Sequence, residues 1–253
     1  MADDTEGSLT LSADALAALQ EFYTERDAHA GKFEMLKARA EKGEAAVDVE
    51  KPGDRGAVVG PELSIHAFTE DWNESQFWYS DKTANLLAEQ ILDGTSDDSV
   101  IAIVSTPSVF VALKKIMAGA GYTGPKPKTF LLEHDTRFAV FPEFVYYDFA
   151  QPFNLPANLK GTVDRMICDP PFLSEDCQTK MAMTMRWLAR KTATEQPRVL
   201  VCTGERMAGL IAKLYGPLGV RVTTYVPVHS GLKNEFYCYA NFECGAWRWK
   251  TGE

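Results

Sequence analysis

Short apolar runs that alternate with helical patterns constrain the fold of this chain more than any other feature. The runs that we interpret as strands cover residues 100–104, 129–132, 144–147, 166–168 and 199–202, and the helical patterns cover 110–117, 174–191 and 205–215. Short buried strands in such alternation form a parallel sheet with helices on both faces. Two further strands, 220–226 and 235–242, follow without an intervening helix and predict a hairpin with one antiparallel strand. The pattern predicts the α/β class, and seven strands in this order suit a doubly wound, Rossmann-like sheet.

Three of these strands end in an acidic residue, namely Glu133, Asp148 and Asp169. Ligands of open α/β sheets bind beyond the carboxyl ends of the strands, near the point where the strand order reverses. A carboxylate after the second strand can accept hydrogen bonds from both ribose hydroxyls. A carboxylate after the third strand can accept a hydrogen bond from the exocyclic amine of adenine. A single acid of this kind often only caps the following helix. Three at successive strand ends favour a ligand that contains a nucleoside.

The turn after the first strand carries Ser105, Thr106 and Pro107 and lacks the G-x-G-x-x-G sequence of dinucleotide-binding proteins. Binding of a pyrophosphate needs glycines in this turn because the backbone approaches the phosphates closely. The turn therefore argues against a dinucleotide. It leaves room for a cofactor without phosphate, such as S-adenosyl-L-methionine.

The sequence Asp169-Pro170-Pro171-Phe172 after the fourth strand is the most informative stretch for chemistry. Two prolines fix φ and remove two backbone donors, so the turn presents carbonyl acceptors. The Asp169 side chain and a proline carbonyl can then accept two hydrogen bonds from one amino group, against the flat face of Phe172. An Asp-Pro turn at a strand end is common by itself. At the end of a central strand, with a second proline and an aromatic residue, it predicts a pocket for an amine nucleophile.

The same turn resembles the Asp/Asn-Pro-Pro-Tyr/Phe motif of amino-methyltransferases, which include adenine-N6, glutamine and some lysine enzymes. Further strings accompany it, at residues 71–80, 104–108, 133–138, 172–177, 202–204 and 234–236. As a set, these strings resemble the eukaryotic lysine methyltransferases of translation elongation factor 1-alpha, a family once labelled as adenine-N6 DNA methyltransferases. The resemblance covers about residues 10–243.

The resemblance implies a seven-stranded class I methyltransferase fold, S-adenosyl-L-methionine as cofactor, and one lysine of elongation factor 1-alpha as substrate. On matching positions it places cofactor contacts at Gln76, Trp78, Tyr79, Ser80, Ser105, Thr106, Pro107, Glu133, Asp148 and Asp169. It places the acceptor amine at the catalytic residues Asp169, Pro170, Pro171 and Phe172. The aromatic segment 72–79 outside the sheet is either a cap over the cofactor or a satellite core that packs an N-terminal helix.

The net charge of −9 bears on the choice of substrate. Proteins that track nucleic acid carry basic patches because neutralised phosphates supply most of their non-specific affinity, and no stretch of this chain forms such a patch. An adenine-N6 methyltransferase acting on DNA or RNA would use the same turn, but base flipping needs a basic channel. We therefore expect a protein substrate and no stable binding of nucleic acid. A non-enzymatic protein that has kept the fold is a third alternative, which the intact Asp-Pro-Pro-Phe turn argues against.

The remaining sequence predicts how the chain is organised and where it works. We expect a flexible N-terminus (1–10), a helical extension with a mobile loop that is either a lid or plain disorder (11–62), and a methyltransferase domain (63–253). Five cysteines without a CxxC pair, no signal peptide and no apolar run long enough to span a bilayer predict a cytoplasmic protein with reduced thiols and no membrane contact. We also expect a monomer. His134 and His229 could act as bases or as metal ligands, although structural histidines are commoner. Neither has a spaced second ligand, so we expect no metal.

Overall fold

In a computed structural model of the protein, the strands form one sheet with its parallel part in the middle. The structure describes residues 63–70, 76–192, 196–231 and 236–251, together with 20, 24, 31 and 33–38. The strands are β1 (Val100–Val104), β2 (Lys128–Glu133), β3 (Phe144–Tyr146), β4 (Arg165–Cys168), β5 (Arg198–Gly204), β6 (Arg221–Val222) and β7 (Phe236–Ala240). Within these described ranges the sheet has seven strands in the order β3-β2-β1-β4-β5-β7-β6.

The pairing of the strands confirms the predicted doubly wound α/β fold. Strands β1 to β5 are mutually parallel, and β7 runs antiparallel to both β5 and β6. The chain leaves β1 towards β2 and β3 on one side, then returns to β4 on the other side of β1. The reversal of strand order therefore lies between β1 and β4, where ligands of such sheets bind.

Helices cover both faces of the sheet, and the alternation of side chains along β1 shows how. The helices are α1 (Asp81–Leu92), α2 (Pro107–Ala118), α3 (Glu175–Leu188) and α4 (Ala208–Tyr215). Ile101 and Ile103 belong to the core that α1 and α2 cover, whereas Ala102 and Val104 belong to the core under α3 and α4. Successive residues of a strand point to opposite faces, so a fully apolar strand such as β1 requires this double cover.

Helix α1 is an element that the sequence analysis did not predict. The side chain of Ser80 caps it by accepting a hydrogen bond from the Thr83 backbone N–H. Its buried residues include Ala84, Leu87 and Ile91, which recur at the spacing of one helical face. The signal was therefore present in the sequence as an N-cap followed by an amphipathic pattern.

The hairpin at the end of the chain is confirmed, but its first strand is shorter than the predicted 220–226. Strand β6 pairs with β7 only over Arg221 and Val222. At Thr223 both the backbone N–H and the hydroxyl donate to the Cys238 carbonyl, and the next residue, Thr224, donates its N–H to Arg248 instead. The chain thus turns from β7 towards the C-terminal segment after two paired residues.

The predicted N-terminal parts lie almost wholly outside the described residues. Of the helical extension, residues 33–38 are helical, Leu36 is buried, and the Phe33 ring packs edge-on against Phe68 at 5.5 Å. The predicted flexible terminus and the loop 41–62 fall outside the description, so the boundary at residue 63 stays a prediction. In the part of the chain that the structure describes, no helix combines the length and apolarity needed to cross a bilayer.

Candidate active site

A cavity of about 750 Å³ opens at the carboxyl edge of the parallel strands. The turns that follow β1, β2, β3 and β4 all contribute to its wall, so it lies at the reversal of strand order. The structure brings the following predicted site residues together around it: Gln76, Trp78, Tyr79, Ser105, Thr106, Pro107, Glu133, Asp148, Asp169, Pro170, Pro171 and Phe172. Residues separated by almost a hundred positions in sequence therefore share one site.

Ser80 is the predicted cofactor contact that does not line this cavity. Its hydroxyl caps α1, and its backbone N–H donates to the Val228 carbonyl at 2.8 Å. The side chain is thus occupied in starting a helix next to the site.

The turn after β1 holds an unusual backbone conformation. Among the described residues, Ser105 is the non-glycine residue with a positive φ, at 52°, and its N–H donates to the Leu132 carbonyl at 2.9 Å. Such conformations persist where the surrounding structure enforces them, commonly at ligand sites. Next to it, the buried Thr106 hydroxyl has no hydrogen-bond partner within the described part of the chain. A buried hydroxyl left unpaired is unfavourable, so this turn fits a polar ligand group that would pair with it.

Glu133 stands at the end of β2 with its carboxyl group almost fully enclosed, at 7% exposure. The backbone N–H groups of His134 and Asp135 donate to its Oε1 at 2.8 and 3.1 Å. Burial raises the pKa of Glu133 to about 7, and these two amide hydrogen bonds offset only part of that effect. A ligand that donates hydrogen bonds to the Glu133 carboxylate would therefore stabilise its charged form.

A set of four side chains, which we call the Gln76 clasp (Thr69, Gln76, Asp135 and Arg137), holds the segment before α1 against the end of β2. Gln76 Nε2 donates to Asp135 Oδ2 at 2.9 Å, and Arg137 Nη2 donates to Gln76 Oε1 at 2.9 Å. Arg137 also donates to the Thr69 carbonyl at 3.0 Å. Burial by itself would raise the pKa of Asp135, but hydrogen bonds from Arg137 and Gln76 bring it below its ordinary value.

Asp148 follows β3 on the same side of the cavity as Glu133. Its Oδ1 accepts a hydrogen bond from the Ala150 N–H at 2.8 Å, which fixes the side chain at the strand end. Nearby, the exposed ring of Tyr146 packs against His134, with ring centres 5.4 Å apart. His134 therefore belongs to the exposed rim of the site.

The Asp169–Phe172 turn forms the opposite wall. Asp169 accepts a hydrogen bond from the Tyr79 hydroxyl at Oδ2, at 2.6 Å, although the two residues are 90 positions apart. Phe172 is 42% exposed and meets Phe149 edge-on at 5.6 Å. The aromatic ring of the motif thus faces the cavity, where an incoming side chain can reach it.

Two residues behind this turn were missed by the sequence analysis. Gln178 of α3 is fully buried, and its Nε2 donates to the Phe172 carbonyl at 3.1 Å and to the Thr203 hydroxyl at 3.0 Å. Gly204 lets β5 approach the turn, because a Cβ there would lie 2.9 Å from a methyl carbon of Leu173. A polar residue at position 178, on the helix face that also carries Met181 and Met185, was the available signal.

His229 lies next to the Asp169–Phe172 turn. It lines the cavity at 6% exposure, with Nε2 3.9 Å from Asp169 Oδ2. Its ring lies 4.6 Å from that of Tyr79 and 4.8 Å from that of Phe236. The sequence leaves the role of this histidine open between a structural one and that of a base or ligand, and the structure places it beside the Asp169 carboxylate. Within the described ranges, no group of three or more histidine, cysteine or acidic residues could hold a metal ion.

The described part of the aromatic segment before α1 packs in the core and also borders the cavity. Trp78 is 4% exposed, its Nε1 donates to the Phe68 carbonyl at 2.7 Å, and its ring meets Phe138 edge-on. The same residue and its neighbour Tyr79 line the cavity. Residues 72–75 lie outside the described part.

Comparisons with known proteins agree with the geometry. A family model described as "Probable N6-adenine methyltransferase" matches residues 70–244. The protein-lysine N-methyltransferase EFM5 of Saccharomyces cerevisiae is 42% identical over 96% of this chain and 95% of its own length. The EEF1A lysine methyltransferase 1 of Gallus gallus is 36% identical over 97% of this chain and 99% of its own, and that of Homo sapiens is 36% identical over 93% and 92%. These matches confirm the predicted resemblance, and the chain belongs to this methyltransferase family.

Proposed function

We propose that this protein is a lysine N-methyltransferase that transfers a methyl group from S-adenosyl-L-methionine to a lysine of translation elongation factor 1-alpha. The observation that carries the proposal is the position of the Asp169–Phe172 turn. It forms a wall of the same cavity as the acids Glu133 and Asp148. An amine held by the turn would therefore lie beside a nucleoside held by the two acids. The name of the yeast relative supports methylation of a protein lysine, and the names of the chicken and human relatives support the same substrate.

The cofactor end of the cavity suits a nucleoside without phosphate. The Glu133 carboxylate would accept hydrogen bonds from the ribose hydroxyls, and Asp148 would accept one from the adenine amine. The Thr106 hydroxyl, which has no partner among the described residues, would pair with a polar group of the amino-acid part. The bound cofactor would supply a methyl group on a positively charged sulfur, ready for in-line displacement. The work left to the protein is positioning and electrostatics.

The turn end of the cavity suits a primary amine. Pro170 and Pro171 carry no backbone N–H, so the turn offers oxygen acceptors without competing donors. Asp169, fixed by Tyr79, would orient the amine, and the exposed ring of Phe172 would favour its cationic form by about 0.5–2 kcal/mol. Removing the proton from a lysine side chain at pH 7 costs about 4.6 kcal/mol. Orientation of the amine by Asp169 therefore does not explain how the nitrogen becomes neutral before it attacks.

The description of the matching family model favours a second candidate, an adenine-N6 methyltransferase. The net charge of −9 works against a nucleic-acid substrate, because the phosphates would be repelled. A protein substrate, a monomeric state and a cytoplasmic location are the expectations that we keep from the sequence.

Incubation with cofactor labelled on its methyl group separates the candidates. With purified elongation factor 1-alpha, and separately with a cell extract, we expect one labelled protein band that protease removes and nuclease leaves intact. Mass spectrometry would then place the label on a lysine. Label that survives protease and is lost to nuclease would overturn the proposal in favour of the second candidate. The Asp169→Ala variant is the negative control in both incubations.

A further inference from the structure

The wall around Asp169 contains a basic group that the proposed transfer has not yet used. His229 is an imidazole enclosed by protein, and neither of its ring nitrogens makes a hydrogen bond to a described residue. Its Nδ1 is buried without a partner, and its Nε2 points towards the Asp169 carboxylate at 3.9 Å, beyond hydrogen-bond distance. A polar group buried without partners is unfavourable, so its retention here calls for a role.

We propose that His229 accepts the proton that the substrate ammonium must lose before its nitrogen can attack. The inference rests on the proposed lysine transfer and assigns a group to the step which that proposal leaves open. The amine held by Asp169 would lie within reach of Nε2, because both groups face the same corner of the cavity.

The step balances without any further reactant. An N–H bond of the ammonium breaks, and its proton forms a new bond to Nε2 of the neutral imidazole. The freed lone pair of the amine then bonds to the methyl carbon as the carbon–sulfur bond breaks, and the electron pair of that bond stays on sulfur. The imidazolium releases its proton to water before the next turnover.

A carboxylate and two aromatic rings surround the imidazole of His229. The Asp169 carboxylate lies opposite, and the rings of Tyr79 and Phe236 pack against the imidazole at 4.6 and 4.8 Å. A nearby anion and aromatic faces both stabilise a cation in a site with little water. In general, an imidazole is a stronger base than an aspartate carboxylate, because its ordinary pKa is higher by about 2.6.

The other titratable groups that face this corner are poor candidates. Burial, followed by the charge of Asp169, raises the pKa of Tyr79 well above its usual range, so Tyr79 stays a hydrogen-bond donor. A hydrogen bond with the thiol of Cys238, followed by burial, likewise raises the pKa of Cys202. Glu70 accepts a hydrogen bond from the Trp78 N–H at 2.7 Å and does not line the cavity. Glu133 is on β2, with β1 between it and β4.

The test is the pH dependence of methyl transfer by His229→Asn. We expect its kcat to fall by about 10²-fold near pH 7 and to recover as the pH rises, because hydroxide then replaces the lost base. The dissociation constant of the cofactor should stay within about threefold, since the imidazole does not hold the nucleoside. A loss that is equal at every pH, or a wild-type rate near pH 7, would overturn the proposal.

The matched control is His66→Asn. His66 Nε2 also lies 3.9 Å from a carboxylate, that of Asp81, but both side chains are exposed and neither lines the cavity. We expect this variant to keep the wild-type rate and pH profile. If His66→Asn changed the rate and the pH profile as much as His229→Asn, loss of any histidine near an acid would have the same effect. That result would overturn the assignment of His229 as the proton acceptor.

A second variant covers the case in which His229→Asn fails to fold. His229→Gln also lacks the proton acceptor and should show the same loss near pH 7 and the same recovery as the pH rises. A wild-type rate near pH 7 in His229→Gln would overturn the proposal. If the wild-type protein labels no lysine at all, the proposed function itself fails, which is a different result from a defect confined to the variant.

Discussion

The two ends of the cavity are built in opposite ways. At the Glu133 end, the carboxylate is held by the backbone N–H groups of the next two residues. At the Asp169 end, the carboxylate is held by the hydroxyl of Tyr79, 90 positions earlier, and faces His229, 60 positions later. One end is a local turn with a clasp added to it, and the other is assembled from distant segments. The difference decides which end a sequence can reveal and which substitutions should affect binding or transfer.

Loss of the Asp169 carboxylate should give the largest effect. We expect Asp169→Ala to lower the transfer rate by at least about 10³-fold, because the amine loses its orientation, while cofactor affinity changes by less than about threefold. Label transfer measures the first quantity and calorimetry the second. Asp176→Ala, which removes an exposed acid paired with Lys180 on α3, is the control and should behave like the wild type. Near-normal transfer by Asp169→Ala would end the assignment of this end to the amine.

Loss of the Glu133 side chain should weaken cofactor binding and leave the transfer rate at saturating cofactor largely intact. Glu133→Ala removes an acceptor for hydroxyl groups of the cofactor, and hydrogen bonds to a charged group contribute about 1.5–3 kcal/mol, so the dissociation constant should rise by about 10–100-fold. At saturating cofactor the rate should recover most of its wild-type value. If the loss persisted at saturation, the two ends would not be separable in function.

The pH dependence of cofactor binding should sharpen the same contrast. Burial raises the pKa of Glu133 to about 7 in the free protein, and only its charged form accepts hydrogen bonds from two hydroxyls. Binding therefore requires that the proton leave, and the dissociation constant should rise as the pH falls, by about tenfold from pH 8 to pH 6. In Glu133→Gln, which cannot titrate, binding should be weaker and flat over this range. A flat curve for the wild type would contradict the role of Glu133.

The sequence predicted the parts of the molecule that depend on neighbouring residues. Strand ends and the residues directly after them were visible as apolar runs followed by Glu133, Asp148 and Asp169, and all three acids line the cavity. The Asp169–Phe172 turn was visible because its chemistry lies in four consecutive residues. Such features need only one rule, that the carboxyl ends of parallel strands share an edge.

The rest of the site depends on which distant segments meet, and no local pattern carries that information. Tyr79 was predicted to contact the cofactor, but nothing in its surroundings in sequence indicated that its hydroxyl would bind Asp169. His229 follows a two-residue strand and an irregular segment, so its approach to β4 depends on how the hairpin turns at Thr223. Gln178 left a signal, a polar residue on an apolar helix face, but its two acceptors come from other elements.

The smallest effect that we expect comes from Tyr79→Phe, which tests the long-range end without removing any charge. The variant keeps the buried ring and loses the hydrogen bond to Asp169 Oδ2. The Asp169 carboxylate keeps its charge and its place in the turn, so we expect kcat to fall by only about fivefold, which corresponds to about 1 kcal/mol, with cofactor affinity unchanged. Tyr225→Phe, which loses a hydroxyl bonded to Thr83 at 3.1 Å away from the cavity, is the matched control and should leave kcat unaltered. Equal behaviour of the two variants would mean that Asp169 keeps its orientation without Tyr79, and that the turn and Gln178 alone hold this end of the site.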